Sequence, residues 1–178
     1  RMRRARRVPR ARRHRSGMRH TGRVLVALDP LLALALSAAA WGAAGGAVGL
    51  AWARASDTRV MRPRAVLRLR QWETREAYRR ATRVHRWKRW VPDAGAWCGG
   101  RRKRLADAGG TGPDARARVA IEVTRAELVH WTMLAIAPAW ITWSRGWVLA
   151  CNAAFALAIN APCIVVTRST RARLAAVA

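Results

Sequence analysis

Thirty consecutive residues, Val24 to Ala53, contain a single ionisable side chain, Asp29, and no other feature narrows the possible folds as much. At about 1.5 Å of rise per residue, such a run exceeds the ~20 residues that cross a bilayer as a helix. Pro30 suits the first turn of that helix. The Leu/Ala-rich VLVALDPLLALALSAAAW is followed by GAAGGAVGL, whose Gly42, Gly46 and Gly49 offer small packing surfaces. The run is too long for an ordinary signal-peptide core, so an uncleaved anchor is expected rather than a cleaved signal.

Two further apolar segments, Leu128–Trp143 and Trp147–Thr167, flank a Ser-Arg-Gly break at 144–146. They predict a two-pass transmembrane hairpin. Trp131, Trp140, Trp143 and Trp147 stand where an aromatic belt would sit, and Arg168, Arg171 and Arg173 close the second arm. The basic stretch before the hairpin and the basic C-terminus then share one side, the cytoplasm. Asn160 would be unsatisfied in lipid, so it either pairs between helices or contacts substrate. Pro162, two residues on, should kink or end the last helix.

The formal charge is +26, yet 52% of residues are apolar, so charge and apolar surface are segregated along the chain. That pattern fits a bilayer protein with basic flanks and argues against a nucleic-acid partner. All but two of the 35 basic residues are Arg, only Lys88 and Lys103 being Lys, as a GC-rich coding sequence produces, so part of the charge carries no function. The three cysteines (Cys98, Cys151, Cys163) form no disulfide framework and have no zinc spacing.

The expected organisation is therefore all-α. Residues 1–23, with eleven Arg and no acid, read as a basic disordered tail, with Met18 an equally good natural start. Residues 24–53 form a transmembrane segment and 54–117 a basic cytoplasmic or interfacial region. Residues 118–178 form the transmembrane hairpin with its basic C-terminus. From Val66 to Trp90, Val66, Leu69, Trp72, Val84, Trp87 and Trp90 recur at helical spacing among arginines. This predicts a helix lying in the headgroup layer, or an amphipathic helix on a small soluble domain, interrupted by Glu73, Glu76 and Arg80. VPDAGAWCGG (91–100) reads as a turn and GGTGPD (109–114) as a loop.

Chemistry concentrates where the hairpin begins, at about Arg118. Glu122, Arg125, Glu127 and His130 span about 200° of one helix, and ionisable groups at a membrane boundary point to function. Glu127 and His130 are i, i+3 neighbours, so the carboxylate can orient the imidazole as a general base. The competing reading is an interfacial salt-bridge cluster that ends the helix. Glu-x-x-His is also half of a di-iron site, but no second copy exists, so no metal is expected. Asp93 is either a turn residue or a second acid at the interface. Lys88, Arg125 or Arg168 would neutralise phosphates or a developing oxyanion. The expected catalytic set is His130, Glu127, Arg125 and Asp93; the expected substrate-binding set is Lys88, Glu122, Asn160 and Arg168.

From Trp87 onward the chain carries an ordered series of blocks, among them WKRWVPDAGAW (87–97), EVTRAELVHW (122–131) and NAPCIVVTR (160–168), that resembles the glycosyl-4,4'-diaponeurosporenoate acyltransferases of bacterial carotenoid pathways. WKRWVPDAGAW (87–97) is similar to the family's Trp-Lys…Pro-Asp block and is followed by GGRRKR (99–104). EVTRAELVHW (122–131) is similar to its Glu…Arg-Ala-Glu…His-Trp block. Pro138 and Trp143 follow in order, then NAPCIVVTR (160–168) with Arg171 and Arg173. The chain departs from the family at 167–173, where the expected aromatic and amide are missing. The resemblance implies transfer of a fatty acyl group from acyl-CoA or a similar donor to a sugar hydroxyl of a glycosylated carotenoid, or of another lipid glycoside, in the cell membrane, with no bound cofactor. The alternative is a non-enzymatic membrane accessory or assembly protein.

Overall fold

The structure is a computed structural model that describes residues 28–91, 110 and 112–177. The basic tail, the 92–109 stretch containing Asp93 and the GGRRKR run, and the start of the first apolar segment lie outside the described residues. The described residues form helices and short connections between them, without a strand.

Helix α1 runs over Pro30–Ala53 with Pro30 at its start, where Asp29 caps the amides of Leu31 and Leu32. Of Gly42, Gly45 and Gly46, Gly45 is the one with a close neighbour, its would-be Cβ lying 3.9 Å from Met133. Gly42 and Gly46, expected at an interface, face open space. Five leucines of α1 (Leu31, Leu32, Leu34, Leu36, Leu50) are exposed. Helix α5 spans Pro113–Ile136, beginning five residues before the expected Arg118, with Pro113 in its first turn rather than in a loop. It does not continue to Trp143. From Ala137 to Thr142 the chain tightens into a 3-10 helix around Pro138, since the proline nitrogen carries no N–H for the Leu134 carbonyl and its ring crowds that carbonyl.

The Ser-Arg-Gly break is where the chain turns. Arg145 is extended and Gly146 has φ +53, a left-handed value that glycine adopts without cost. Helix α6 then runs over Gly146–Ala175, continuing through Pro162 and past Thr167, so Arg168, Arg171 and Arg173 lie within a helix. By length and composition α1 and α6 are apolar enough to cross a membrane; α5, polar in its first half, is not. Helix α5 packs antiparallel to both.

The expected continuous helix over 66–90 is instead a string of short pieces. A 3-10 turn (Ala65–Leu67) follows α2 (Asp57–Met61), and then come α3 (Arg75–Ala81), α4 (Val84–Trp87) and a second 3-10 turn (Lys88–Trp90). The physical reason is Glu73: it is buried, and the chain bends to bring it inward. Leu67 packs with Val60 on Leu128 of α5, and Tyr78 and Val84 pack on Ala172 of α6. Trp72 and Trp90 stay exposed, while Trp87 donates to the Thr82 carbonyl.

At the opposite end of the bundle the expected aromatic belt is mostly turned inward. Trp140 is 4% exposed and stacks on Trp41 at 4.4 Å between centroids; of the four, only Trp147 is exposed. Beneath them a buried polar network ties α1 to α6. Asn152 accepts from Trp41 Nε1 at 3.1 Å and donates to the hydroxyls of Ser37 and Ser144, both at 3.0 Å. Replacing Asn152 with Ala leaves three buried groups short of a partner. We expect a loss of about 1–2 kcal/mol, read as a Tm lowered by a few degrees in thermal unfolding of the detergent-solubilised protein.

Candidate functional site

The site forms where α5, the 65–90 segment and α6 converge, and Arg168 is its centre. Its Nε and Nη2 clasp both oxygens of Glu73 at 2.6 and 2.5 Å. Its Nη1 donates to Glu127 Oε1 and the Val66 carbonyl, both at 2.8 Å, and Nη2 also donates to the Arg68 carbonyl at 3.0 Å. All five N–H groups of the guanidinium are thereby committed. Arg168, expected at donor phosphates, has no donor left for a ligand; it holds the 65–73 turn against the bundle.

Glu127 is fully buried and shared. One oxygen accepts from Arg168 and, at 3.3 Å, from Trp131 Nε1; the other accepts from Arg171 at 2.7 Å. Two carboxylates therefore balance two guanidiniums, which is what permits this much charge to sit in the interior. Tyr78 completes the cluster by donating to Glu73 Oε1 at 2.5 Å. Burial first, then that carboxylate, pushes the Tyr78 hydroxyl well above the usual tyrosine range.

The imidazole is held differently from the expected Glu127 clasp. Nδ1 of His130 lies 2.9 Å from Oδ1 of Asn160, and Asn160 Nδ2 donates to the Ala156 carbonyl at 2.8 Å. With its amide nitrogen so committed, Asn160 presents its oxygen to His130. That makes Nδ1 the protonated nitrogen and puts the lone pair on Nε2. Asn160 thus pairs between helices, α6 to α5. His130 is half-buried.

Arg125 is brought to a different task. It donates to the carbonyls of Trp52 and Ala55, at 2.5 and 2.7 Å, satisfying the C-terminal end of α1. It also pairs with Asp57 at 2.8 Å and with Glu122 at 3.4 Å. Glu122 and Arg125 therefore join α5 to the α1–α2 corner. Lys88 is exposed and lines a separate basic cleft of about 360 Å³ with Tyr78, His85 and Arg173. Asp93 lies outside the described residues. Sequence reasoning missed Glu73 and Tyr78, and read Arg171 only as a helix-closing charge. The signal was present in Glu73, an acid interrupting an apolar stripe, because an interruption at a position that should face inward marks a buried charge with a partner.

Glu73 also gives the cluster a pH response. The Arg168 hydrogen bond, opposed by burial, lowers its carboxyl from 4.5 to about 2. Because the folded value is depressed, the stabilisation is complete above about pH 4.5 and is lost as pH falls towards 2. Thermal unfolding scanned from pH 6 to 2.5 should show Tm dropping most steeply below 4.5, and Glu73→Gln should lower Tm at neutral pH and flatten that drop. A variant with an unchanged acid limb would refute the assignment.

No curated protein matches this chain, and neither does any solved structure. A family match does exist and begins at residue 63, earlier than the resemblance from Trp87, so it takes in the Glu73 turn. Residues 63–178 match the family described as glycosyl-4,4'-diaponeurosporenoate acyltransferase, which is well over half of the chain and includes every residue of the ion-pair cluster and the His130–Asn160 pair, and the chain belongs to that family.

Proposed function

We propose that this protein is a membrane acyltransferase that moves a fatty acyl group to a sugar hydroxyl of a glycosylated carotenoid in the bacterial cytoplasmic membrane. The observation that carries the reading is the 2.9 Å His130–Asn160 pair, lying inside the family match where α5 meets α6. Membrane residence is supported by two helices of sufficient length and apolarity and by the exposed leucines of α1. Exposed Phe155, Leu157 and Ile159 on α6 point the same way. Apolar side chains on the outside of a long helix are what lipid contact accommodates and water does not.

In this reading Nε2 of His130 takes the proton from the sugar hydroxyl as its oxygen attacks the carbonyl carbon of an acyl thioester. The tetrahedral intermediate collapses with breakage of the C–S bond. His130 returns the proton to the departing thiolate, leaving an ester and a free thiol. Asn160 keeps the imidazole in the tautomer that can begin this cycle. Glu127, one turn before His130 on α5, fixes Arg168 and Arg171 between α5 and α6. Acceptor polyene and donor chain both belong in lipid, so their reactive heads meet at its edge.

His130→Ala should lower ester formation by about 10²–10⁴-fold while the protein still resists carbonate extraction from vesicles. Lipid mass spectrometry of cells making the glycosylated carotenoid would show the unesterified glycoside accumulating. Unchanged ester levels in that variant would remove His130 from the mechanism, and extraction of the parent protein by carbonate would remove the membrane reading. Asn160→Ala should reduce kcat by about tenfold or more with KM little changed, because it disturbs the tautomer and leaves binding groups in place.

A further inference from the structure

Beside the cluster lies an open cleft of about 840 Å³, bounded by the 61–69 turn, the start of α5 and the last turns of α6. Leu67, Leu69, Ala117, Ala120 and Leu174 give it an apolar floor. Arg62, Arg64, Arg68, Arg116 and Arg171 stand around it, and no carboxylate lines it. Of these five guanidiniums Arg171 alone has a carboxylate partner among the described residues, Glu127, and the other four repel one another unless an anion occupies the cleft.

These arginines are unequal. Arg64 is held by the carbonyls of Arg59, Val60 and Arg62, and Arg171 by Glu127. Arg116 donates through Nη1 to the Val177 carbonyl, while its Nε is shielded from solvent with no partner among the described residues. The Arg62 and Arg68 side chains are exposed and make no hydrogen bond or ion pair among the described residues. The cleft therefore combines fixed cations at its back with two free ones at its rim.

We infer that this cleft binds the phosphates of the acyl donor, and that the donor is a thioester of the coenzyme A class. The inference rests on the acyl-transfer reading above and identifies the substrate of the same site. Its geometric support is spacing along α6. Arg171 in the cleft and Asn160 beside His130 are eleven residues apart, which places their backbones within about 20° on one face and about 16 Å apart along the axis; the Arg171 side chain covers part of that span by reaching Glu127, one turn from His130. A pantetheine arm has roughly twelve bonds from phosphate oxygen to sulfur, the backbone length of four residues, or about 14 Å when extended. Phosphates bound in the cleft thus lie within one pantetheine length of His130. The ester carbonyls of a phospholipid lie only a few bonds from its phosphate, so a lipid headgroup in the cleft would leave its acyl bond far short of the imidazole.

The test uses the full chain in nanodiscs of neutral phosphatidylcholine, comparing the parent with Arg62→Gln/Arg68→Gln. In the parent, calorimetric titration should detect coenzyme A but not pantetheine, and the double variant should weaken coenzyme A binding about tenfold or more. In turnover the variant should raise KM for acyl-coenzyme A by a similar factor with kcat nearly unchanged, and should handle acyl-pantetheine as the parent does. Arg62→Lys/Arg68→Lys should recover part of the affinity, because point charge survives while the bidentate fork is lost. Equal coenzyme A binding by parent and double variant would overturn the cleft assignment, whether or not acyl transfer occurs. Loss of coenzyme A binding when phosphatidylglycerol is added to the discs, with KM for acyl-coenzyme A the same in variant and parent, would overturn it in favour of a lipid headgroup. Arginine-dependent coenzyme A binding without any ester formation would uphold the cleft and overturn the acyltransferase reading.

Discussion

The fold around the site depends on a single guanidinium. Arg168 joins α6 to α5 through Glu127 and to the 65–73 turn through Glu73 and two backbone carbonyls. The turn is too short and too basic to pack by itself, since its own buried apolar contribution is little more than Leu67. A short segment with little area to bury gains its order from a few strong, directional bonds, and a bidentate arginine–carboxylate pair is the strongest that side chains offer. Taking such charges out of water is costly unless every donor and acceptor is met. Here the guanidinium is saturated and the charges sum to zero, so the cluster is rigid and gives the walls of the neighbouring cleft a fixed geometry.

The bundle is fastened at both ends by polar contacts and filled by apolar ones between. At one end Asn152, Ser37, Ser144 and Trp41 hold α1 to α6. At the other, Arg125 gathers the carbonyls that end α1 and binds the corner to α5. Between them Trp41, Met133, Trp140 and Ala156 form the core that all three long helices share. In an apolar surrounding, side-chain burial alone gives helices little reason to choose one register over another, and buried hydrogen bonds select it. The His130–Asn160 pair lies along the same α5–α6 seam, so its alignment is inherited from fastenings on both sides of it.

Division of labour follows from which donors remain available. Arg168 and Arg125 are spent on the fold, Asn160 on the imidazole, and Glu127 on keeping two arginines in place. In the proposed reaction His130 stands on one side and the arginine-rimmed cleft on the other, with Arg171 between them. The proposed transfer would use these as two poles, one for a lipid acceptor and one for a phosphate-bearing donor.

The amino-acid sequence by itself determined the helical class, the first and last long helices, the turn at 144–146 and the family. Each of these is written in local composition: apolar runs, a capped proline, a glycine that can take positive φ, and blocks of residues in order. It also brought out His130, Asn160, Glu127 and Arg168 as residues that matter. It could not say which of them touch. The i, i+3 spacing made Glu127 the natural partner of His130, yet Asn160, thirty residues away, holds Nδ1, because α6 crosses α5 at that level and Glu127 faces the arginines instead. Glu73 looked like a flaw in an amphipathic stripe, and only the fold shows that the stripe is broken in order to deliver it to Arg168, 95 residues further on. Pairings across such distances are chosen by the packing of whole helices, and no periodicity within one segment records them.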